Sequence, residues 1–133
     1  MLFRSGPQPL ALPLACAGFN PAMLEPATRA LTPFGLAVVP GGRALGGGPG
    51  PEALVPGSAV AVDVLRGDLE MSAIGTLTWR EGDRVLLFGH PFFQSGEVRL
   101  PLSTAEITTV VPSVASSFRV AYPVFVAMRS TAR

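Results

Sequence analysis

The sequence predicts an all-β domain, either a barrel or a sandwich, and three observations favour this class. Short segments rich in valine, isoleucine and threonine recur through the second half of the chain. Turns that contain glycine or proline separate these segments, as in barrels and sandwiches. The chain has 133 residues, of which 48% are hydrophobic and 14% charged, a composition typical of one folded domain.

Composition also excludes several classes of function. The basic residues are ten scattered arginines against nine acidic residues, so no basic stripe follows a phosphate backbone and we expect no nucleic-acid partner. Cys16 and His90 are the only residues of their types, so the sequence predicts no internal disulfide, no metal site and no cofactor. No apolar run approaches the ~20 residues that a membrane-spanning helix needs.

Residues 1–39 form an N-terminal segment of extended and helical character. Its start, "MLFRSGPQPLALPLACAG", has a basic residue, an apolar run and small residues before Cys16, an order that loosely matches a signal peptide or a lipoprotein site. Three prolines interrupt it and the apolar run over residues 10–17 is short. We therefore favour a buried strand that begins the domain over a signal peptide.

A helix start follows at "FNPAMLEPATRAL". Asn20 is suited to cap a helix, and Pro21 fits the first helical position. Pro26 lacks an N–H group and its ring clashes with the preceding turn, so it should break or kink the helix. The pattern predicts a short, broken helix near residues 20–32.

Residues 40–57, "PGGRALGGGPGPEALVPG", form a linker rich in glycine and proline. Glycine-rich loops can hold phosphate groups, but this one lacks Gly-Lys-Ser/Thr, and its prolines oppose a helix that opens directly from the loop. A flexible surface loop is favoured over a nucleotide-binding loop.

Residues 58–128 form a β-rich block. Val60, Val62 and Val64 alternate and should share one face of a strand, and "REGD", residues 80–83, predicts a hairpin turn into "RVLLF". Further strands are predicted over Glu97–Leu100, Ile107–Val111 and Phe118–Met128, with Pro112 and Pro123 confining them to sheet edges or strand ends.

The most distinctive stretch is "DRVLLFGHPFF", residues 83–93. The apolar run over residues 84–88 predicts a strand covered on both faces. His90 precedes Pro91, which favours an extended backbone at His90 and ends sheet pairing, so the imidazole should lie at a rigid strand end. Such an imidazole suits a general base. From these residues alone, however, a structural or merely exposed histidine is favoured over a catalytic one.

Four stretches carry a resemblance to a known family: "PGSAVAV", "GTLTWREGDRVLLFGHPF", "LPLSTAEI" and "VVPSVASSF". Together they make residues 55–118 resemble the SpoIVB-type serine peptidase domain, the bacterial family of the sporulation stage IV B peptidase. The upstream "AGFNPAMLEP" and the glycine-rich linker look like what precedes this block in the relatives. The resemblance covers about 110 residues of the chain, and its most specific part is the segment that contains His90.

The resemblance implies a serine endopeptidase, a hydrolase with a chymotrypsin-like double β-barrel. It makes His90 the general base that takes a proton from a nucleophilic serine. It also implies a protein or peptide substrate, a location outside the cytoplasm (periplasmic, secreted or membrane-associated) and a membrane-associated protein partner. No convincing signal peptide accompanies this expectation.

The chain departs from the family pattern at the nucleophile. Relatives carry it downstream of the histidine in a Gly-x-Ser-Gly loop, which these 133 residues lack. Ser58 and Ser95 each have glycine on one side only, and Ser116 and Ser117 resemble positions after a strand. We therefore expect a partial domain, an incomplete double barrel whose C-terminal half is missing and which is inactive alone.

The catalytic acid stays unassigned at this point. Asp83 is better explained as a turn former, and Glu106 could cap a turn or a helix start as readily as orient His90. The five candidate carboxylates are Asp63, Asp68, Asp83, Glu97 and Glu106. The alternative function is a non-catalytic β-module that binds a peptide or a partner protein, with His90 structural.

Overall fold

The part of the chain that the structure describes is predominantly β-sheet, with one α-helix. The structure is a computed structural model that describes residues 11–43, 47–48, 50–88, 98–111 and 118–132, and it gives only the backbone for 98, 111 and 118–132. The elements are β1 (Leu12–Ala17), α1 (Pro21–Leu31), β2 (Leu36–Pro40), β3 (Ala59–Leu65), β4 (Glu70–Glu81), β5 (Arg84–Leu87), β6 (Val98–Val111) and β7 (Phe118–Ala132). Short 3-10 helices lie at Thr32–Phe34 and Pro51–Ala53.

The strands form one open, mixed sheet in the order β2-β1-β4-β3-β6-β7, with β5 paired to β4. β1 and β2 are parallel and are joined through α1, whereas the other pairs are antiparallel. The prediction of a mainly β fold is confirmed. The crossover through α1 and the strand β2 were not predicted, because "LAVVP" is too short to show a clear period.

The N-terminal strand lies inside the sheet, between β2 and β4. Leu12, Leu14 and Cys16 project from one face into an apolar cluster with Leu36 and Ala73. On the opposite face Ala15 is also buried. Residues 12–17 therefore form a buried strand of the domain, and residues 1–10 lie outside the described part of the chain.

The helix begins where the sequence predicts it. The side chain of Asn20 accepts a hydrogen bond from the Met23 N–H at 3.0 Å, and Pro21 occupies the first turn. The predicted break at Pro26 is wrong, because α1 is continuous through it. The carbonyl that loses its partner is that of Ala22, which is exposed, so water can satisfy it.

The buried valines on one face of β3 end at Val62 and do not include Val64, as the sequence pattern had predicted they would. Val60 and Val62 are buried on the predicted face, but Val64 is exposed. The pairing with β4 runs from Asp63 opposite Ser72 to Leu65 opposite Met71, so Val64 is the extra residue of a β-bulge. The bulge turns Val64 away from the core.

The hairpin prediction at residues 80–83 is confirmed, with Gly82 at φ +57° in the turn between β4 and β5. The predicted coverage of both faces of β5 is wrong, because Leu86 is exposed while Val85 and Leu87 pack inward. The predicted strands Glu97–Leu100 and Ile107–Val111 are not separate, because residues 98–100 and 107–111 belong to the single long strand β6; Glu97 lies outside the described residues. Pro123 lies in the edge strand β7, as predicted, and Pro112 lies outside the described residues.

The end of the glycine-rich linker packs against the sheet. Leu54 is fully buried in a cluster with Val60, Leu77 and Leu102. Arg80 on β4 holds this segment, because its Nη1 donates hydrogen bonds to the carbonyls of Pro51 and Leu54. This part of the segment is therefore anchored to the sheet, so the prediction of a flexible surface loop is wrong for it.

The β6–β7 hairpin curls over the sheet. In a flat sheet with strands about 4.8 Å apart, β7 would lie about 14 Å from β4, three strands away. The backbone of β7 nevertheless contacts β1, β3 and β4. Register shifts at Leu102/Thr104 and Ile107/Thr109 interrupt the pairing of β6 with β7, and such irregularities let strands bend.

Candidate functional site

The β4–β5 hairpin delivers the chain to the Gly-His-Pro element. Its strands pair from Glu81 opposite Arg84 to Leu77 opposite Leu87, with a register shift between Leu77 and Trp79. β5 ends at Leu87, one residue before Phe88. The position of this hairpin therefore determines where the segment after Phe88 starts.

Phe88 has an unusual backbone at this point. Its φ of +61° makes it the only non-glycine residue with positive φ in the described ranges. An L-residue in this region costs about 1–2 kcal/mol, so the surroundings of Phe88 must hold it there. The ring packs against both apolar clusters of the sheet, that around Leu14 and that around Val60.

Gly75 on β4 makes room for this ring. A Cβ atom built on Gly75 would lie 2.7 Å from Cδ1 of Phe88 and even closer to Cε1, well inside van der Waals contact. Any side chain at position 75 would therefore displace the ring. A glycine inside a strand often marks such a close approach, so Gly75 in "SAIGTLTW" is the sequence signal that could have revealed this contact.

The predicted general base, His90, lies outside the described residues. Pro91, Ser95 and Glu97 lie outside them as well.

Of the candidate acids, Asp63 is the one that the described part of the chain buries. Its Oδ1 accepts a hydrogen bond from the Ser72 hydroxyl at 2.8 Å, and the Arg66 Nε lies 2.8 Å from Oδ2. Burial raises the pKa of Asp63, and the Ser72 hydrogen bond and the charge of Arg66 oppose that rise. These interactions stabilise a carboxylate within the sheet.

The other three candidate acids that the structure describes are exposed. Asp83 lies in the β4–β5 turn, in agreement with its predicted role as a turn former. Glu106 lies in the middle of β6, opposite Tyr122, so the prediction that it caps a turn or a helix is wrong. Asp68 lies in the β3–β4 turn, where its carbonyl accepts a hydrogen bond from Arg43 at 2.8 Å.

The serines that the structure describes have structural roles. The Ser58 hydroxyl donates to the Val55 carbonyl and accepts from the Val55 N–H at 3.1 Å, so it closes a turn. Ser103 is buried, and its hydroxyl is 3.4 Å from the Ala61 carbonyl. Ser116 and Ser117 lie outside the described residues. The described hydroxyls thus offer no exposed nucleophile beside a base.

Three further observations concern metal binding, membrane spans and the cysteine. Among the described residues, no group of three or more His, Cys, Asp or Glu is placed to hold a metal ion. In the same ranges, no helix is both long and apolar enough to cross a bilayer. Cys16 is buried and its Sγ lies 3.5 Å from the Leu14 carbonyl, and burial raises the pKa of this thiol.

Sequence reasoning missed two contacts of this region, Asp63 with Ser72 and Phe88 with Gly75. In each, one residue lies on β4 and the other in a separate part of the chain, so no local motif contains them. Comparison of the chain with models of protein families, with curated proteins and with solved structures finds no match.

Proposed function

We propose that this chain is the N-terminal part of a SpoIVB-type serine endopeptidase domain, with His90 as the general base. The observation that carries the proposal is the segment "GDRVLLFGHPF" on the β4–β5 hairpin, the most specific part of the resemblance. The substrate is a protein or peptide that is cleaved outside the cytoplasm, and a membrane-associated protein is the expected partner. The nucleophilic serine comes from chain beyond these 133 residues.

We also propose that the curled sheet is part of a chymotrypsin-like β-barrel. The contacts of β7 with β1, β3 and β4 support this, because curling of a hairpin over its own sheet is a step toward closing it. The open edges of the sheet, β2 and β7, are where the missing half of a double barrel would complete the domain.

In this mechanism the His90 imidazole accepts the proton of the serine hydroxyl as the oxygen attacks the scissile carbonyl. The same imidazole then returns the proton to the leaving amine. Proton transfer of this kind requires the ring to be within hydrogen-bond reach of the hydroxyl.

The first test uses the chain alone. We expect no peptide hydrolysis above background and no labelling by a fluorophosphonate probe, because loss of a triad nucleophile removes most of a rate contribution on the order of 10⁶. Labelling of a serine within these residues would contradict the proposal that the nucleophile lies elsewhere.

The second test supplies the missing half. The chain is mixed with the separately expressed C-terminal part of a SpoIVB-type peptidase, and probe labelling and peptide cleavage are measured. We expect both with the unmodified chain and neither with His90→Ala, with circular dichroism as the check that the variant folds. Equal cleavage by a folded His90→Ala chain would show that His90 is not the base.

The exposed side of the β4–β5 hairpin favours a second candidate function, a non-catalytic β-module that binds a peptide or partner protein. Trp79 and Leu86 face each other across the two strands, and their side chains are 45% and 58% exposed. Apolar pairs next to a free strand edge suit strand addition by a peptide. In that case Trp79→Ser would abolish binding of the peptide while His90→Ala would leave it unchanged.

A further inference from the structure

The outward side of α1 carries apolar side chains that the described part of the chain leaves exposed. Met23, Pro26 and Ala30 are exposed, and Phe34, in the 3-10 turn that follows the helix, is 75% exposed. These four residues form the outer face of α1. We propose that this face binds the same face of a second copy of the chain, as an antiparallel pair of helices related by a twofold axis. The inference goes beyond the proposed peptidase role and does not depend on it.

α1 has a sheet-facing side, a polar side and the apolar outer face. The sheet-facing side is only half-buried, with Leu31 packed against the apolar cluster around Leu14. The polar side consists of the two charged residues of the helix and two threonines: Glu25, Thr28, Arg29 and Thr32. The residues of the outer face recur at spacings of three and four, which places them on one side of a helix. A helix of a soluble protein normally packs such an apolar stripe against another element.

The order of side chains along the outer face suits an antiparallel pair. Large side chains, Met23 and Phe34, lie at its two ends, and small ones, Pro26 and Ala30, lie between them. In an antiparallel pair Met23 opposes Phe34 of the second copy, and Pro26 opposes Ala30. The midpoints of these two pairs lie within one residue of each other, so one twofold axis near Thr28 satisfies both. The small side chains at the centre allow the two helix axes to approach closely.

The charges beside the outer face decide between a parallel and an antiparallel arrangement. Glu25 and Arg29 are the charged residues of α1, and they form an exposed ion pair at 2.7 Å within the helix. A parallel twofold pair brings each charge against its own copy, which is repulsive. In the antiparallel pair Glu25 approaches Arg29 of the second copy and Arg29 approaches Glu25, because their midpoint lies one residue from the axis. Both contacts between copies are then attractive.

Charge also argues against a lipid surface as the occupant of the outer face. Helices that lie on membranes are rich in Lys and Arg on their polar face. α1 has a single arginine, Arg29, whose charge Glu25 already balances. A second copy offers both charges an opposite partner, whereas an anionic membrane repels Glu25.

The size of the contact predicts a weak dimer. A helix of 11 residues is about 16 Å long, so two such helices bury less than ~1,200 Å² between them. Interfaces of this size belong to transient complexes. We therefore expect a dissociation constant on the order of 10⁻⁴ M, and a monomer at the low concentrations used for denaturation experiments.

Charge-reversed variants test the pairing, with sedimentation equilibrium at low ionic strength as the measure of mass. Glu25→Arg and Arg29→Glu each place like charges together across the twofold axis, and both side chains are exposed, so circular dichroism should show a folded chain. We expect each variant alone to associate about 10-fold more weakly than the wild type. An equimolar mixture should regain association, because one copy then offers two cations and the other two anions.

Two results of this experiment would overturn the proposal. The first is association of either variant alone at the wild-type level. The second is a mixture that associates no better than its components, because the charges would then not meet between copies.

Asp83→Arg is the matched control for Glu25→Arg. It makes the same change of charge on an exposed residue of the β4–β5 turn, away from α1 in the chain. We expect this variant to associate like the wild type. Weakening as large as in Glu25→Arg would show repulsion between whole molecules and would contradict a specific pair of helices.

Phe34→Ser tests the apolar part of the contact independently of charge. The side chain is 75% exposed, so its loss leaves the core intact. We expect association to weaken by about 10-fold or more. Unchanged association would show that the outer face is not the interface.

The unmodified chain distinguishes the other occupants. A chain that stays monomeric at about 1 mM, ten times the expected dissociation constant, would overturn the proposal. A monomer that also co-sediments with phosphatidylglycerol vesicles would identify a lipid surface as the occupant instead. None of these variants alters His90 or requires cleavage, so this inference and the proposed function can fail separately.

Discussion

Asp63 shows at the scale of one residue how the sheet tolerates a charge. Its side chain is 2% exposed, and removal of a carboxylate from water is costly unless partners replace the solvent. Ser72 donates to one oxygen and Arg66 lies beside the other. Since burial is the largest influence and raises the pKa of Asp63, the folded protein favours its protonated form more than the unfolded chain does.

The raised pKa of Asp63 predicts a pH dependence of stability. Protons bind more tightly to the folded state, so the contribution of Asp63 is fully present below its ordinary pKa of about 3.9 and is lost as pH rises through the raised value. We expect the unfolding free energy of the wild type, relative to Asp63→Asn, to fall from about pH 4 toward neutrality. Urea denaturation at a series of pH values measures it.

The control for this prediction removes an exposed carboxylate. Asp83→Asn deletes one negative charge from the β4–β5 turn without altering the buried cluster. We expect its unfolding free energy to parallel that of the wild type across the pH series. If Asp63→Asn did the same, burial would not perturb the titration of Asp63.

Among the elements, α1 contains an interior proline, Pro26, that destabilises the helix. Pro26 provides no N–H to the helix, and its surroundings are exposed. Interior proline is about 3 kcal/mol less favourable than alanine, but proline also restricts the unfolded chain, which offsets part of this. We expect Pro26→Ala to stabilise the protein by about 1–2 kcal/mol in chemical denaturation.

Pro21 supplies the comparison for Pro26 within the same helix. It occupies the first turn, where an N–H group has no helical partner and the fixed φ of proline is favourable. We therefore expect Pro21→Ala to give no gain in stability. A gain in both variants would mean that the position of the proline in the helix is irrelevant.

The elements that the sequence predicts well are those determined by neighbouring residues. Asn20 and Pro21 start a helix, and Gly82 closes a hairpin, through contacts within a few positions. By contrast, β2 exists because it pairs with β1, and the loss of alternation at Val64 results from a bulge against β4. These features depend on strands distant in the sequence, so local pattern does not reveal them.

The same division applies to the candidate site. His90 is recognisable because its motif is contiguous, from Gly82 to Phe92. By contrast, Ser72, which bonds Asp63, and Gly75, which makes room for the Phe88 ring, both lie on β4 and become neighbours only through the sheet register. Asp63 was one of five open candidates, and burial separates it from Asp68, Asp83 and Glu106, the other three that the structure describes.

For the whole molecule, the place of β1 inside the sheet, between β2 and β4, predicts that its buried residues are essential for stability. Leu14 is 1% exposed and packs in the cluster around Leu36 and Ala73. We expect Leu14→Ala to reduce the unfolding free energy by about 2–5 kcal/mol, because a buried leucine leaves a cavity when it is truncated. Trp79 fluorescence during denaturation, compared with far-UV circular dichroism, measures the loss.

Phe34 is the control, since it is a large apolar side chain that is 75% exposed. We expect Phe34→Ala to change stability by less than about 0.5 kcal/mol. A Leu14→Ala variant as stable as Phe34→Ala would mean that residues 12–17 do not belong to the cooperative fold, as would hold for a removable leader.

The position of β1 also has a consequence for biosynthesis. β1 is made before its antiparallel partner β4, which begins to form only after Glu70 has been added, at about 5–20 residues per second. Among the described elements, the short parallel strand β2 is the one that can pair with β1 until then. The growing polypeptide therefore carries an apolar strand with one unpaired edge for seconds, the kind of segment that chaperones bind and that aggregates when translation stalls.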